Sequence, residues 1–150
     1  ARRTAHTVGS KKNTGMNKSI PIPSIVNSSE MLFYIKNGEI DATYINYLDD
    51  LTILNDEQTS DILNISSKTL RSYRKLNITL RGNIKEHLVY LISLFEHGID
   101  VFDSKEDFNN WLLTENLLLG NEQPKNFLET ISGIKFIDDR LTAMEYGDNV

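Results

Sequence analysis

Six basic side chains gather in one stretch, residues 62–85, that contains no acidic residue. Lysine and arginine at this density suit the phosphates and guanine edges of nucleic acid, and serine or threonine can bond to either. The alternative is an ordinary solvated helix face, which many basic helices present. The stretch therefore raises nucleic-acid binding as a hypothesis. Its basic residues are Lys68, Arg71, Arg74, Lys75, Arg81 and Lys85.

The rest of the charge is unevenly divided along the 150 residues, whose net charge is -5. Residues 1–16 are basic, at +4, whereas residues 86–150 carry 13 acidic and four basic residues, a net of -9. Such asymmetry predicts two different partners. No apolar run approaches the roughly 20 residues of a membrane span. The chain has no cysteine, which excludes disulfides and suits a cytoplasmic protein.

Motifs for catalysis are missing from the sequence. The histidines are His6, His87 and His97, and none has the spacing of a metal site such as HExxH. No GxSxG, Walker or GxGxxG pattern occurs. We therefore expect neither an enzyme nor a bound metal or cofactor.

Apolar residues recur at three- and four-residue spacing from Ser29 onwards, which predicts an all-α fold of about eight short helices. Asn55 with Gln58, and Ser104 with Asp107, are typical of helix N-termini. Glycines predict helix ends. Gly98 is expected to end a helix that starts at Ile84, and Gly133 one that starts at Pro124.

The chain divides into three predicted parts. Residues 1–28 form a disordered or extended arm, and residues 1–15, before Met16, are interpreted as a possible expression remnant. A helix-turn-helix domain at 29–83 precedes a second helical domain at 84–150. Aromatic residues of the first domain serve either dimerisation or the core: Phe33, Tyr34, Tyr44 and Tyr47.

Two predicted helices, 56–63 and 67–76, form the helix-turn-helix, whose second helix would enter the DNA major groove. Ser66 is the expected N-cap of the second helix. Helical spacing turns Leu70 and Tyr73 towards the core and leaves the basic residues on another face. The predicted DNA contacts are Ser67, Lys68, Thr69, Arg71, Ser72, Arg74 and Lys75.

The run from 101 to 147 resembles the toxin-binding domain of the Xre/MbcA/ParS bacterial antitoxins. An Xre-like helix-turn-helix is expected just upstream of that domain, where 56–76 lies. Most of the matching residues also suit a helical core, so the motif points to a fold family and to no reactive group. The matching features are Phe108 with Trp111-Leu112, Leu119-Gly120, Pro124 with Phe127-Leu128, Thr130 with Gly133, Leu141 and Glu145-Tyr146-Gly147.

The resemblance implies a type II antitoxin that neutralises a RES-domain toxin, which consumes NAD, and that represses its own operon. In this family the C-terminal end reaches or covers the toxin's active-site cleft, and an acidic segment suits a basic dinucleotide pocket. For Arg140 the alternative is an ion pair with Asp139 or a neighbouring acid. The candidate toxin contacts are Asp138, Asp139, Arg140, Glu145, Tyr146, Gly147 and Asp148.

Two other interpretations stay open. The chain could be a stand-alone transcriptional regulator whose C-terminal domain dimerises, or a toxin-binding protein whose helix-turn-helix is vestigial. A homodimer is expected both for an antitoxin that binds DNA and for a stand-alone regulator, because helix-turn-helix proteins commonly read two half-sites one helical turn apart.

Overall fold

A computed structural model of the protein describes residues 19–76 and 78–147, and it is built of helices. Two short 3₁₀ helices, Leu117–Leu119 and Pro124–Phe127, join the last two α-helices. The described residues contain no β-strand, and the all-α prediction is confirmed. The α-helices are α1 Ser28–Asn37, α2 Ala42–Leu51, α3 Asp56–Leu63, α4 Ser67–Lys75, α5 Gly82–Phe102, α6 Lys105–Leu112 and α7 Ile131–Glu145.

Helix α5 is the centre of the fold. Every residue from His87 to Gly98 is buried, and burial of consecutive helical residues requires neighbours on all sides. These neighbours are α1, α2 and α3 from the first half of the chain and α6 and α7 from the second. The two predicted domains thus share α5. Among the described residues no helix has the length and apolarity needed to cross a membrane.

The expected helix end at Gly98 is wrong, because α5 continues to Phe102. Gly98 lies opposite Phe108 of α6, and a Cβ added there would overlap the Phe108 ring. Phe108 is fully buried and packs edge-on against Phe95, with ring centroids 5.3 Å apart. Glycine at this position therefore lets α5 and α6 approach closely.

The expected helix from Pro124 to Gly133 is also wrong. Pro124 is the first residue of a 3₁₀ helix that ends at Phe127, and Gly133 belongs to the first turn of α7. Thr130 is the N-cap of α7, and the Gly133 N–H donates to its Oγ1 over 2.9 Å. A Cβ at Gly133 would overlap the Phe127 carbonyl oxygen, so this glycine permits the tight entry into α7.

A buried amide joins α6 to the end of α2. Asn109 is fully buried, and its Oδ1 accepts from the Thr52 hydroxyl and the Ile53 N–H at 3.0 and 3.1 Å. Its Nδ2 donates to the carbonyls of Leu51 and Lys105 at 3.1 and 2.8 Å. All the polar atoms of this side chain are therefore satisfied, as burial requires.

The N-terminal arm and the aromatic residues after it are partly described. Residues 1–18 lie outside the described residues, whereas 19–27 contain no helix. Tyr47 is buried, and the Tyr34 and Tyr44 hydroxyls are hydrogen-bonded to each other over 2.6 Å. Phe33 is 57% exposed. Three of the four rings therefore pack into the core or against it.

Candidate functional site

Helices α3 and α4 are joined by a three-residue turn, residues 64–66, and local hydrogen bonds fix both its ends. Asn64 ends α3 in the left-handed conformation, with φ of 61°, and the Ile65 N–H donates to the Ser60 carbonyl over 3.0 Å. Ser66 then caps α4, accepting from the Thr69 N–H over 3.0 Å. Two short helices joined by a three-residue turn are one feature of a helix-turn-helix. The motif itself and DNA binding by these helices stay predictions.

The exposed face of α4 carries a large part of the basic charge predicted for it. Lys68, Arg71, Ser72 and Lys75 are exposed, whereas Leu70 is fully buried. The α4 side chains therefore divide between core and solvent as the helical spacing indicates. Arg71 comes within 3.8 Å of Asp56 but keeps 55% of its side chain exposed, which leaves its guanidinium accessible to a ligand.

Arg74, another predicted DNA contact, is held by two carboxylates. Its guanidinium donates to Asp49 of α2 through Nε at 2.8 Å and Nη2 at 3.1 Å. It also donates to Asp56 of α3 at 2.7 and 3.1 Å. The hydrogen bonds from Arg74 to Asp56 and then to Asp49 raise the pKa of Arg74. Arg74 therefore connects α4 to both neighbouring helices, and we name this group the Arg74 clamp.

Two hydroxyl-bearing candidates on α4 have partners inside the protein. Ser67 Oγ lies 3.1 Å from Ser60 Oγ of α3. Thr69 Oγ1 accepts from the Ser66 hydroxyl over 2.9 Å. The structure thus brings Lys68, Arg71, Ser72 and Lys75 together on the open face and turns Ser67, Thr69 and Arg74 towards neighbours.

The candidate toxin contacts divide between two faces of α7. Asp139 is exposed, Tyr146 is 65% exposed and Gly147 is exposed. Arg140 is half-buried. Asp148 lies outside the described residues. Asp139 lies seven residues, about two helical turns, before Tyr146, which places both on the same side of α7. We name the exposed residues Asp139, Tyr146 and Gly147 the α7 end surface.

Asp138 is placed differently, since its side chain is only 1% exposed. It faces α5, where its Oδ1 lies 2.6 Å from His97 Nδ1. Glu145, two helical turns further along α7, places Oε1 2.9 Å from His97 Nε2. Asp138 and Glu145 thus meet on one buried imidazole and do not lie in the α7 end surface. We name these three residues the His97 cluster.

Local sequence patterns gave little sign of this cluster. His97 sits on a buried helix, where a packed histidine with an ordinary partner is common. The available signal was the seven-residue spacing of Asp138 and Glu145, which puts both carboxylates on one face of a helix. Their partner lies 41 residues before Asp138 in the chain, which no local rule can connect.

Comparison with known proteins agrees with the C-terminal geometry. Residues 97–147 match the family described as the antitoxin Xre/MbcA/ParS C-terminal toxin-binding domain. The match spans the end of α5, α6, both 3₁₀ helices and α7. Over these residues the chain is therefore similar to the toxin-binding domain of antitoxins.

The resemblance to the Xre/MbcA/ParS antitoxins identified in the sequence is confirmed by this match. A chain in the crystal structure of the M. tuberculosis MbcT-MbcA toxin-antitoxin complex has the same fold, with a TM-score of 0.60 and 18% identity. The match covers 73% of this chain and 96% of that one. No curated protein matches the sequence.

Proposed function

We propose that the chain neutralises a RES-type, NAD-consuming toxin and represses its own operon. The toxin-binding domain, ending in the exposed α7 end surface, is the observation that carries the proposal. Tyr146 and Asp139 suit an interface core and its charged rim, because aromatic residues dominate binding energy and acidic ones steer association. Arg140 at the edge and Asp148 beyond it would complete the interface.

The charge of this half of the chain supports the choice of toxin class. Residues 86–150 have a net charge of -9. A pocket that binds the phosphates of a dinucleotide is commonly basic, so an acidic partner is attracted to it and can cover it. The fold shared with a chain of a toxin-antitoxin complex supports the same function.

Capture of the protein encoded by the neighbouring gene tests the proposal. Deleting everything after Arg140 would remove the buried Leu141 and disturb the core, so surface substitutions are the better probes. We expect Tyr146→Ala to weaken capture about tenfold or more. Asp139→Lys should weaken capture mainly at low salt. Glu115→Lys, an equal charge reversal at an exposed residue outside α7, is the matched control.

Either of two results would contradict this assignment. If the neighbour is never captured, the antitoxin function fails and a plain regulator becomes the better account. If it is captured but does not deplete NAD when expressed alone, the RES-type class fails while antitoxin action stands. Equal capture by all three variants would move the interface away from the α7 end surface.

The second half of the proposal assigns DNA binding to α4. The Arg74 clamp supports it, because its guanidinium offsets one of the two carboxylate charges that would otherwise repel phosphates beside α4. Replacing Lys68, Arg71 and Lys75 together by alanine should weaken binding to a duplex from the protein's own promoter. The dependence of log K on log salt should become shallower by about 0.9 for each phosphate that the variant no longer neutralises.

A second triple variant controls for the change in net charge. Lys36, Lys125 and Lys135 lie outside α4, and their replacement by alanine removes the same charge. We expect it to leave most of the operator affinity in place. Equal weakening by both triple variants would indicate general electrostatics, and an unchanged affinity in the α4 variant would make the helix-turn-helix vestigial.

The remaining elements of the proposal follow from DNA binding. A repressor of its own operon would act in the cytoplasm as a homodimer, with 29–83 reading DNA, 84–150 binding toxin and 1–28 as an arm. The stand-alone regulator remains the alternative, favoured by the open basic face of α4. Sedimentation of the protein with and without operator duplex measures the dimer directly.

A further inference from the structure

The His97 cluster is nearly sealed from water. The side chains of His97, Asp138 and Glu145 are 3%, 1% and 14% exposed. His97 lies near the end of the buried stretch of the central helix α5, and both its partners come from α7. The ring therefore joins the centre of the fold to two inward-facing positions of α7, the second of which is the last residue of that helix.

Counting donors shows that the cluster holds an additional proton. A neutral imidazole has one N–H and one acceptor nitrogen, whereas both ring nitrogens here face carboxylate oxygens, at 2.6 and 2.9 Å. Two ionised carboxylates can both be bonded only when the ring carries two N–H groups. The alternative is a protonated carboxyl that donates to the ring. Either arrangement contains one proton more than a neutral ring between two carboxylates.

The groups around the ring leave α7 as the source of its charged partners. In the described part of the chain, Asp138 and Glu145 are the titratable groups shown within hydrogen-bond distance of His97. Glu96, the preceding residue on α5, accepts from the Tyr47 hydroxyl of α2 over 2.6 Å. Helix α6 meets this part of α5 through the apolar ring of Phe108.

The C-terminal turn of α7 lacks a basic side chain of its own. Its last turn contains Glu145 and no basic residue, although the C-terminus of a helix has a partial negative charge that favours cations. The contact of His97 Nε2 with Glu145 Oε1 supplies a partner for this end from α5. The backbone then continues directly into the α7 end surface, since the Tyr146 N–H donates to Ala143 and the Gly147 N–H to Met144, at 3.1 and 3.0 Å.

We propose that His97 is a positioning residue: through its two ring nitrogens it connects Asp138 to Glu145, holds the last turn of α7, and thereby presents Tyr146 and Gly147 to the toxin. Its role in toxin capture rests on the proposed function, whereas the hydrogen bonding itself does not.

Amide hydrogen exchange of the whole free chain tests the link without any toxin. For residues 142–147 we expect protection, corrected for intrinsic exchange, to be about tenfold higher in the unmodified chain than in Glu145→Ala, which removes the link. Glu145→Gln is the decisive variant. A glutamine amide can donate to a neutral ring nitrogen while the other ring N–H donates to Asp138, so most of the protection should remain.

A charge-matched variant completes the comparison. Glu115→Gln, at an exposed residue outside α7, should behave like the unmodified chain. Equal protection of the last turn in the unmodified chain and in Glu145→Ala, or no recovery in Glu145→Gln, would overturn the proposal.

Capture of the neighbouring gene product connects the link to function. Glu145→Ala should weaken capture, whereas Glu145→Gln should retain most of it. If exchange shows the predicted loss of protection in Glu145→Ala and the neighbour is never captured, the proposed function fails and the His97 link stands. If all three chains capture the neighbour equally, the positioning role fails and the proposed function stands.

Discussion

The Arg74 clamp and the His97 cluster each tie a surface helix to its neighbours, yet they differ in their access to water. The side chains of Arg74, Asp49 and Asp56 are 23%, 32% and 39% exposed. Those of His97 and Asp138 are 3% and 1% exposed. Solvent therefore screens the first group and hardly reaches the second, so similar ionic geometry should have unequal energetic weight.

The Arg74 clamp also responds to pH. Arginine stays charged throughout the accessible range, so the clamp changes through its carboxylate partner Asp56. The hydrogen bond from Arg74 lowers the pKa of Asp56, and the resulting stabilisation is present above the ordinary aspartate pKa of about 3.9 and lost as acidification passes the lowered value. Acid thus loosens the attachment of α4.

The largest effect in this comparison is expected from His97→Phe. This change keeps a ring of similar shape but leaves the Asp138 carboxylate buried without the imidazole, at a cost of about 3 kcal/mol or more in unfolding free energy. Urea denaturation near pH 7 measures it. His87→Phe is the matched control, because the buried His87 ring is hydrogen-bonded to a neutral carbonyl, that of Leu128, at 2.8 Å. Equal destabilisation by both variants would show that the carboxylate partners of His97 contribute no more to stability than the carbonyl partner of His87.

Arg74→Met should have the intermediate effect. It removes the clamp from a solvent-screened site, and we expect a destabilisation of about 1 to 2 kcal/mol at low salt that shrinks in 1 M NaCl. The effect should also shrink in acid as Asp56 becomes protonated. Arg71→Met serves as the comparison, because Arg71 is 55% exposed and 3.8 Å from Asp56, and it should be nearly neutral. A salt-independent destabilisation by Arg74→Met would indicate poorer packing as its cause.

The smallest effect is expected from the helix caps, which are uncharged. Ser66→Ala at the start of α4 and Thr130→Ala at the start of α7 each remove one cap hydrogen bond, worth about 1 kcal/mol. Neither effect should vary between pH 5 and pH 9 in urea denaturation. A pH-dependent effect would mean that the caps are coupled to the charged groups and that the two ends of the fold are not separable.

Features fixed by neighbours in sequence were predictable. Asn55 forms its capping box with Gln58, and Ser104 accepts from the Asp107 N–H over 3.0 Å. These hydrogen bonds join residues three positions apart, so residue type and spacing suffice. The division of α4 into a buried and a basic face followed from the helical period in the same way.

Features fixed by distant residues were not predictable. Whether Gly98 ends a helix depends on the Phe108 ring, and the place of Gly133 depends on the Phe127 carbonyl. The partners of Arg74 lie 25 and 18 residues away. Asp138 and Asp139 look equivalent in sequence, yet the rotation of α7 about its axis buries one and exposes the other. Only the packed fold sets that rotation.

The Asn109 amide has a consequence for the evolution of this domain. Its side chain accepts two hydrogen bonds and donates two, all shared with groups of the backbone and Thr52. Aspartate has no N–H to donate, leucine has no polar atom, and glutamine is longer by one methylene in a site without exposure. Position 109 therefore tolerates few substitutions as long as the backbone at the end of α2 keeps its present conformation. Homologous chains that vary here should also differ in how the two halves of the molecule are joined.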